Sequence, residues 1–292
     1  MAPVPLPLVW LDGKLLPLGE ARISPLDRGF LFGDGAYEVL PVYGGRAYRF
    51  EAHMARLDRS LAEIRMPPPL DRAGWLAVFG KLVHGNGGGD LLLYAQVTRG
   101  VEPERNHVPA GGIRPTIFAC VQNHPLIPAS AIENGVAAVT AEDLRWSRCD
   151  IKSTSLLGNV LLRWLAADAG ATETILLRGG ALTEASASSV HVVKGGCIVT
   201  PPQTNAILPG TTRSVIFELA GREGIPSERR PVAEAELRSA DEILIASAGG
   251  GIRAITTLDG RPVGSGKPGP VYRRIYACFK ATQREFSTEL PA

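Results

Sequence analysis

The strongest constraint on this chain is the way its strand-like runs are punctuated. Short apolar or β-branched stretches end on paired glycines: Tyr37–Tyr43 on Gly44-Gly45, Thr174–Leu177 on Gly179-Gly180, Val190–Val193 on Gly195-Gly196. Paired glycines accept the positive φ of tight turns, so Tyr37–Tyr43 and Arg46–Phe50 read as a hairpin. Helical patterns fall between groups of such runs, not after each one. Met54, Leu57, Leu61 and Ile64 recur at helical spacing and stop at Pro67-Pro68-Pro69. Trp75, Leu76, Phe79, Leu82 and Val83 mark a second helix, ended by the Gly85–Gly89 loop. A doubly wound parallel sheet needs regular alternation of strand and helix. Strands in runs with helices set among them predict an α+β fold instead.

The same pattern divides the chain. Val9–Leu11 turns at Asp12-Gly13 into Leu15-Leu16, and Leu91–Thr98 and Thr116–Gln122 are further strands. Asn123–Ser130 (NHPLIPAS) holds two prolines and no charge, which predicts a linker. After it the pattern restarts. Val136–Thr140, Ile198–Thr200 and Ile243–Ser247 read as strands; Leu156–Leu165, Thr211–Ala220 and Val271–Phe286 read as helices. At 292 residues the chain is long enough for two domains. The expected division is a small N-terminal α/β domain over 1–122, a linker over 123–130, and a larger β-rich domain with surrounding helices over 131–292. No repeat at a period of about 20–50 residues suggests a solenoid.

Composition excludes several classes. Lysine plus arginine number 31 against 29 acids, so the net charge of +2 offers no field for nucleic acid or an anionic membrane. Apolar residues at 45% rule out general disorder. Cys120, Cys149, Cys197 and Cys278 make no CxxC pair, so neither a zinc site nor a redox dithiol is expected, and no metal. Met1–Leu11 lacks a basic stretch and carries three prolines, unlike a signal peptide. The uncharged windows 115–132 and 195–212 each hold three prolines, unlike a membrane helix. A soluble, cytoplasmic protein is the expectation.

Six segments could carry chemistry. Lys152 lies in CDIKSTS between an apolar residue and small polar ones. A desolvated lysine becomes a nucleophilic amine, whereas the plain reading is a solvated lysine at a helix start. Leu208-Pro209-Gly210-Thr211-Thr212-Arg213 reads as a loop opening a helix, either a phosphate cradle or a simple N-cap. Ser247-Ala248 entering Gly249–Gly251 is a second anion nest or an ordinary turn. Glu184, among small residues between strands, is either a buried partner for a ring nitrogen or an exposed turn acid. Tyr37 and Glu38 follow Gly33-Asp34-Gly35 into a strand, where alternation sends them to opposite faces. Arg105-Asn106-His107 adds a guanidinium fork and a second donor in a polar loop, suited to a carboxylate if not simply solvated. No HExxH, GxxxxGK[ST], GxSxG or GxGxxG motif is present.

Taken in order, these segments resemble the fold-type IV pyridoxal-phosphate enzymes (class IV aminotransferases), most of all the D-amino acid aminotransferases. The resemblance runs from about Leu8 to about Phe286. It is carried by DRGFLFGDGAYEV (27–39), HMARL (53–57), QVTRG (96–100), RNH (105–107), EDLRWSRCDIKSTSLLGNVL (142–161), LTEASASS (182–189) and ILPGTTR (207–213). It implies that Lys152 in the larger domain holds pyridoxal 5'-phosphate as a Schiff base and then shuttles the α-proton. It implies that Glu184 pairs with the ring nitrogen and Leu208 packs on the ring. Arg56, Thr211 and Thr212 would bind phosphate, with Ser247 and Ala248 beside them. Tyr37, Arg105 and His107 would trap the substrate carboxylate, the last two reaching in from a second copy, so a homodimer is implied.

The chain departs from the family pattern in three places. Ala248-Gly249-Gly250-Gly251 stands where hydroxyl residues are usual, Ser189 where asparagine is usual, and the loop from Gly100 to Arg105 is one residue longer. The implied reaction is ping-pong transfer of an amino group from a D-amino acid such as D-alanine to a 2-oxo acid such as 2-oxoglutarate. Relatives of the same fold keep other readings open: an (R)-amine transaminase, a branched-chain L-amino acid transaminase, or aminodeoxychorismate lyase.

Overall fold

The computed structural model describes residues 4–124 and 127–291. Residues 1–3 at the start of the chain and residues 125 and 126 of the expected linker lie outside the described residues. The chain divides into two compact units. The first joins Met1–Pro125 with Ile151–Ser155 and Gln283–Ala292; the second joins Leu126–Asp150 with Leu156–Thr282.

The first unit is built on β1 (Pro5–Leu11), β2 (Lys14–Pro17), α1 (Arg28–Phe32), β3 (Gly35–Tyr43), β4 (Arg46–Tyr48), α2 (Phe50–Glu63), α3 (Arg72–Gly85), β5 (Leu91–Thr98) and β6 (Thr116–Asn123). The late strand β16 (Ser287–Glu289) returns to it. Among the described residues these make a seven-stranded antiparallel sheet in the order β16-β4-β3-β5-β6-β1-β2. The Gly44-Gly45 turn has φ of 54° and 77°, as the hairpin requires. Its second strand stops at Tyr48, two residues short of the expectation, because Arg49 is left-handed (φ 56°) and Phe50 opens α2.

Alternation sorts the faces of this sheet. Leu91, Leu93, Ala95 and Val97 point to one side and are buried against Phe50, Met54, Leu57 and Leu61 of α2 and Trp75, Phe79 and Leu82 of α3. Glu38, opposite Ala95, shares that covered side. Tyr37 and Val39, opposite Gln96 and Tyr94, face the other way.

Ile151–Ser155 belongs with this unit, although a division by sequence places Lys152 in the second. The reason is backbone bonding. Tyr37 N–H donates to the Lys152 carbonyl (3.0 Å), and Thr154 N–H donates to the Gly35 carbonyl (3.0 Å). Lys152 N–H donates to Ser60 Oγ (3.1 Å).

The second unit runs α4 (Ala129–Glu133), β7 (Val136–Glu142), α5 (Leu157–Asp168), β8 (Glu173–Arg178), β9 (Ala181–Ala185), β10 (Ser189–Lys194), β11 (Cys197–Thr200), α6 (Thr211–Arg222), β12 (Ser227–Arg229), α7 (Glu234–Arg238), β13 (Glu242–Ser247), β14 (Gly251–Leu258), β15 (Arg261–Pro262) and α8 (Pro270–Glu285). Its sheet has the order β12-β11-β10-β13-β14-β7-β8-β9, with β15 beside β14. It is mixed: β7 pairs in parallel with β8 and β14, and β11 with β12. The core side holds Val190, Val192, Ile243, Ile245, Ile255, Ile175 and Ala185. Sequence patterning did not anticipate β9 and β14. Ala181–Ala185 (ALTEA) has weak intrinsic preference for a strand and becomes one by pairing with β8. Together these elements are the α+β, two-unit architecture that the strand and helix pattern implies.

Candidate active site

The candidate residues fall in both units, and each set is built within its own. In the first unit, Lys152 is half-buried and its Nζ lies 4.0 Å from the centre of the Tyr37 ring. Among the described residues its Nζ has no hydrogen-bond or ion-pair partner. Tyr37 is itself stacked on Tyr94, with centroids 5.5 Å apart. A side-chain nitrogen over an aromatic face is held in direction by the ring. Lys152 is therefore a presented amine on a segment pinned by backbone bonds at both ends.

Beneath it, on the covered side of the sheet, lies Glu38. It is fully buried and accepts from Arg56 Nε (2.7 Å), Arg56 Nη2 (2.8 Å) and His53 Nδ1 (2.8 Å). Burial would raise its acid; Arg56 and His53 outweigh that and hold it well below the usual carboxylate range. His53 is pushed down by burial, with Arg56 and Lys152 adding to the effect. Glu38 thus locks the orientation of Arg56, which α2 carries at 7% exposure. An arginine held this way is a fixed donor for an anion.

Arg105 and His107 are exposed and collect on Phe32. The Arg105 guanidinium is 4.9 Å from that ring and the His107 ring 5.4 Å. Among the described residues neither meets Tyr37 or Lys152. Their loop is organised by Arg28, which is 3% exposed. It donates to Asp34 (2.9 Å), Glu102 (2.7 Å) and the carbonyls of Asn106 (2.6 Å) and His107 (3.0 Å). Sequence reading gave Arg28 no role; its partners lie up to 79 residues away.

In the second unit, Glu184 projects from β9 at 6% exposure, which removes the reading as an exposed turn acid. One carboxylate oxygen accepts from Arg145 Nη1, the other from the Leu208 N–H (3.1 Å). Arg145 also gives Nε and Nη2 to the two oxygens of Asp143 (2.8 Å each). Asp143 accepts further from Thr183 Oγ1 (2.9 Å) and Arg178 (3.0 Å). Burial raises the acid of Glu184, and Arg145 offsets this only in part. Asp143 goes the other way: its burial is outweighed by Arg145, Thr183 and Arg178. Asp143 and Arg145 were missed as functional residues, although both stand inside the EDLRWSRCDIKS segment.

The start of α6 is open. Gly210 precedes it without a side-chain cap, so its first-turn amides lack that partner. Thr211 and Thr212 are buried at 7% and 5%. A methyl on Gly210 would come within 2.6 Å of Ser189 Oγ, so glycine keeps the approach clear. Ser247 Oγ accepts from the Gly250 N–H (3.1 Å), and Ala248 adds no donor side chain.

The sequence pattern of the family described as amino-transferase class IV matches residues 35–258. A D-alanine aminotransferase of Bacillus licheniformis is 40% identical over 273 residues, covering 93% of this chain and 95% of that protein. One from Listeria innocua is 39% identical over 276 residues, covering 93% and 94%. The branched-chain amino acid aminotransferase of Escherichia coli superposes with a TM-score of 0.92 at 22% identity, over 98% of this chain and 100% of that one, a likeness of fold. A fold IV-transaminase from Curtobacterium pusillum superposes with a TM-score of 0.79 at 28% identity, over 92% of both chains.

Proposed function

This chain belongs to the class IV amino-transferases, and we propose that it is a pyridoxal-phosphate transaminase carrying the amino group of a D-amino acid, D-alanine among them, to a 2-oxo acid such as 2-oxoglutarate. The observation that carries the reading is Lys152, an unpartnered amine fixed against Tyr37. Its relatives named for D-alanine, at 37–40% identity, favour this substrate class over the other readings.

The residues present fit the cofactor. Lys152 offers a free amine, Glu184 a buried acceptor, and the opening of α6 a set of amides and hydroxyls suited to a phosphate. When bound, pyridoxal phosphate supplies an electron-withdrawing ring that makes the Cα–H of an attached amino acid acidic. The chain's residues do the rest. Lys152 Nζ would hold the group covalently and, once freed, would take the proton from Cα of the amino donor and, in the second half-reaction, give one to Cα of the acceptor. Glu184 keeps a proton on the ring nitrogen. Thr211, Thr212 and the Gly210 turn bind phosphate with Arg56, while Ser247 and Ala248 line the second turn. Leu208 packs on the ring and, through its N–H, aims Glu184. Tyr37 orients the amine, and Arg105 with His107 fixes the α-carboxylate and so the face presented to Lys152.

Arg105 and His107 serve a second copy of the chain in this reading, which makes the protein a homodimer. The exposed apolar stripe on α5 supports it: Leu157 (72%), Leu161 (59%) and Trp164 (66%) at helical spacing. Four cysteines, all free, suit a reducing compartment such as the cytoplasm.

The test is one half-reaction. Cofactor-loaded protein mixed with D-alanine alone is expected to lose its visible absorption and form one pyruvate per chain, with none from L-alanine. Lys152→Ala is expected to show neither. Turnover of L-alanine, or wild-type turnover by Lys152→Ala, would refute the reading.

A further inference from the structure

The QVTRG segment (96–100) opens on Gln96. Two of its later residues serve the framework of the first unit. Thr98 donates to Asp27 (3.0 Å), and Arg99 donates to Asp34 (2.8 and 3.0 Å). Gln96 has a different setting. It stands in β5 directly opposite Tyr37 of β3 and Phe118 of β6. Partners across a ladder share a face, so these three form one row on the side of the sheet away from α2 and α3. The next row is Val39, Tyr94 and Cys120.

Tyr94 ties the two rows together. Its ring stacks on Tyr37, with centroids 5.5 Å apart and planes at 28°, and meets Phe118 at 6.5 Å. Its hydroxyl donates to Gln96 Oε1 (2.6 Å), two residues along the same strand. Burial, with Tyr37 and Cys120 adding to it, pushes the Tyr94 phenol well above its usual range, so the donated proton is kept. Aromatic pairs tolerate centroid separations of about 4.5–7 Å, so stacking alone fixes a ring loosely. The hydrogen bond to Gln96 selects one placement. Tyr37, in turn, is the ring over which Lys152 Nζ lies at 4.0 Å. Contacts therefore run unbroken from Gln96 to Tyr94, to Tyr37 and to Lys152, all within the first unit. Glutamine suits the far end of that series. Its amide accepts the phenol O–H without putting a negative charge in the row of Tyr37, where a carboxylate would compete for the lysine amine.

We propose that Gln96 and Tyr94 are positioning residues: by fixing the plane of the Tyr37 ring, they fix the direction in which Lys152 presents its amine. The assignment rests on the transaminase reading, in which that amine must meet both the cofactor and the Cα of the amino donor. Loose presentation slows such a step, because proton transfer needs a heavy-atom approach of about 2.6–3.2 Å.

Two variants break the same bond without touching Lys152. Tyr94→Phe keeps the ring and removes the hydroxyl. Gln96→Leu keeps much of the volume and removes the acceptor. In cofactor-loaded protein, the maximal rate of the half-reaction with D-alanine is expected to fall about two- to tenfold in each, as for loss of one hydrogen bond. The half-saturating D-alanine concentration is expected to stay within about twofold, since neither change removes a group that binds the donor. The double variant is expected to lose no more than either single one, the mark of two residues acting through one contact. Losses that multiply in the double variant, a weaker half-saturation at an unchanged rate, or wild-type rates in both variants would each overturn the proposal. A second readout needs no amino donor: capture of pyridoxal phosphate by cofactor-free protein, trapped on Lys152 with borohydride and followed by mass spectrometry. Capture is expected to slow by a similar factor and with the same non-additivity; equal capture in wild type and variants would overturn the proposal. Should Gln96→Leu fail to fold, Tyr94→Phe, which adds no group, still reports both rates. A wild-type protein inert to D-alanine, with capture slowed in the variants, defeats the substrate reading alone.

Discussion

Arg145→Met tests the electrostatic reasoning about Glu184 most directly. The methionine keeps much of the side-chain volume and removes the donors to Glu184 and Asp143. Glu184 then has only the Leu208 N–H, and Asp143 keeps Thr183, Arg178 and the backbone N–H of residue 145 (3.2 Å). Removing one partner from a buried ion pair costs about 3–5 kcal/mol. The deficit must depend on pH. Glu184 has a raised acid in the folded protein, and losing Arg145 raises it further. Between its unfolded and folded values the folded state then binds more protons, so stability falls as pH rises. Asp143 is depressed in the wild type, so its contribution is present above its unfolded value and fades as pH falls. Weakening that depression also costs most at high pH. Each unit of lost or gained shift is worth about 1.4 kcal/mol. Urea midpoints of wild type and variant at pH 4.5, 6 and 7.5 are expected to diverge steadily toward the higher pH. A deficit constant across that range would mean that Arg145 acts by packing, and the charge argument would fall.

Three other outcomes follow from the same structure. Glu38→Gln strands Arg56 and His53 in the covered layer. It should lower unfolding stability by about 3–5 kcal/mol above the ordinary glutamate value, with the gap closing at lower pH, as denaturation at pH 7 and 4 would show. Leu161→Glu with Trp164→Glu places charges on the α5 stripe, and sedimentation should find monomers that have lost D-alanine activity; an unchanged mass would move the dimer contact elsewhere. Gly100→Ala puts a methyl against the Arg114 carbonyl at a φ of +104°, and about 1–3 kcal/mol of strain should appear beside the loop that carries Arg105. Unaltered thermal stability would show that the backbone there relaxes freely.

Local chemistry made some of this legible. Paired glycines gave the hairpin before Arg46, and β5 runs over the residues its apolar pattern marks, Leu91–Thr98. Alternation correctly split Tyr37 from Glu38. Other features depend on neighbours far along the chain. β9 exists because β8 accepts it, and Lys152 joins the first unit because Tyr37 bonds its carbonyl and Gly35 the N–H of Thr154. Arg28 looks like any arginine at a helix start until its partners at Glu102, Asn106 and His107 come into place.

The two buried glutamates show why residue type alone underdetermines chemistry. Both are nine-tenths or more buried and both face an arginine, yet their acids move in opposite directions. Arg56 gives two hydrogen bonds to Glu38, and His53 adds a third. Arg145 gives Glu184 only one, because its other nitrogens serve Asp143, whose charge also opposes ionisation of Glu184. Glu38 is therefore a fixed anion, fit to hold an arginine in place. Glu184 sits nearer the balance between its two forms, so a protonated ring nitrogen set against it would meet an acceptor not yet saturated with donors. How many donors each carboxylate receives, and not its burial, separates the structural acid from the one suited to exchange a proton.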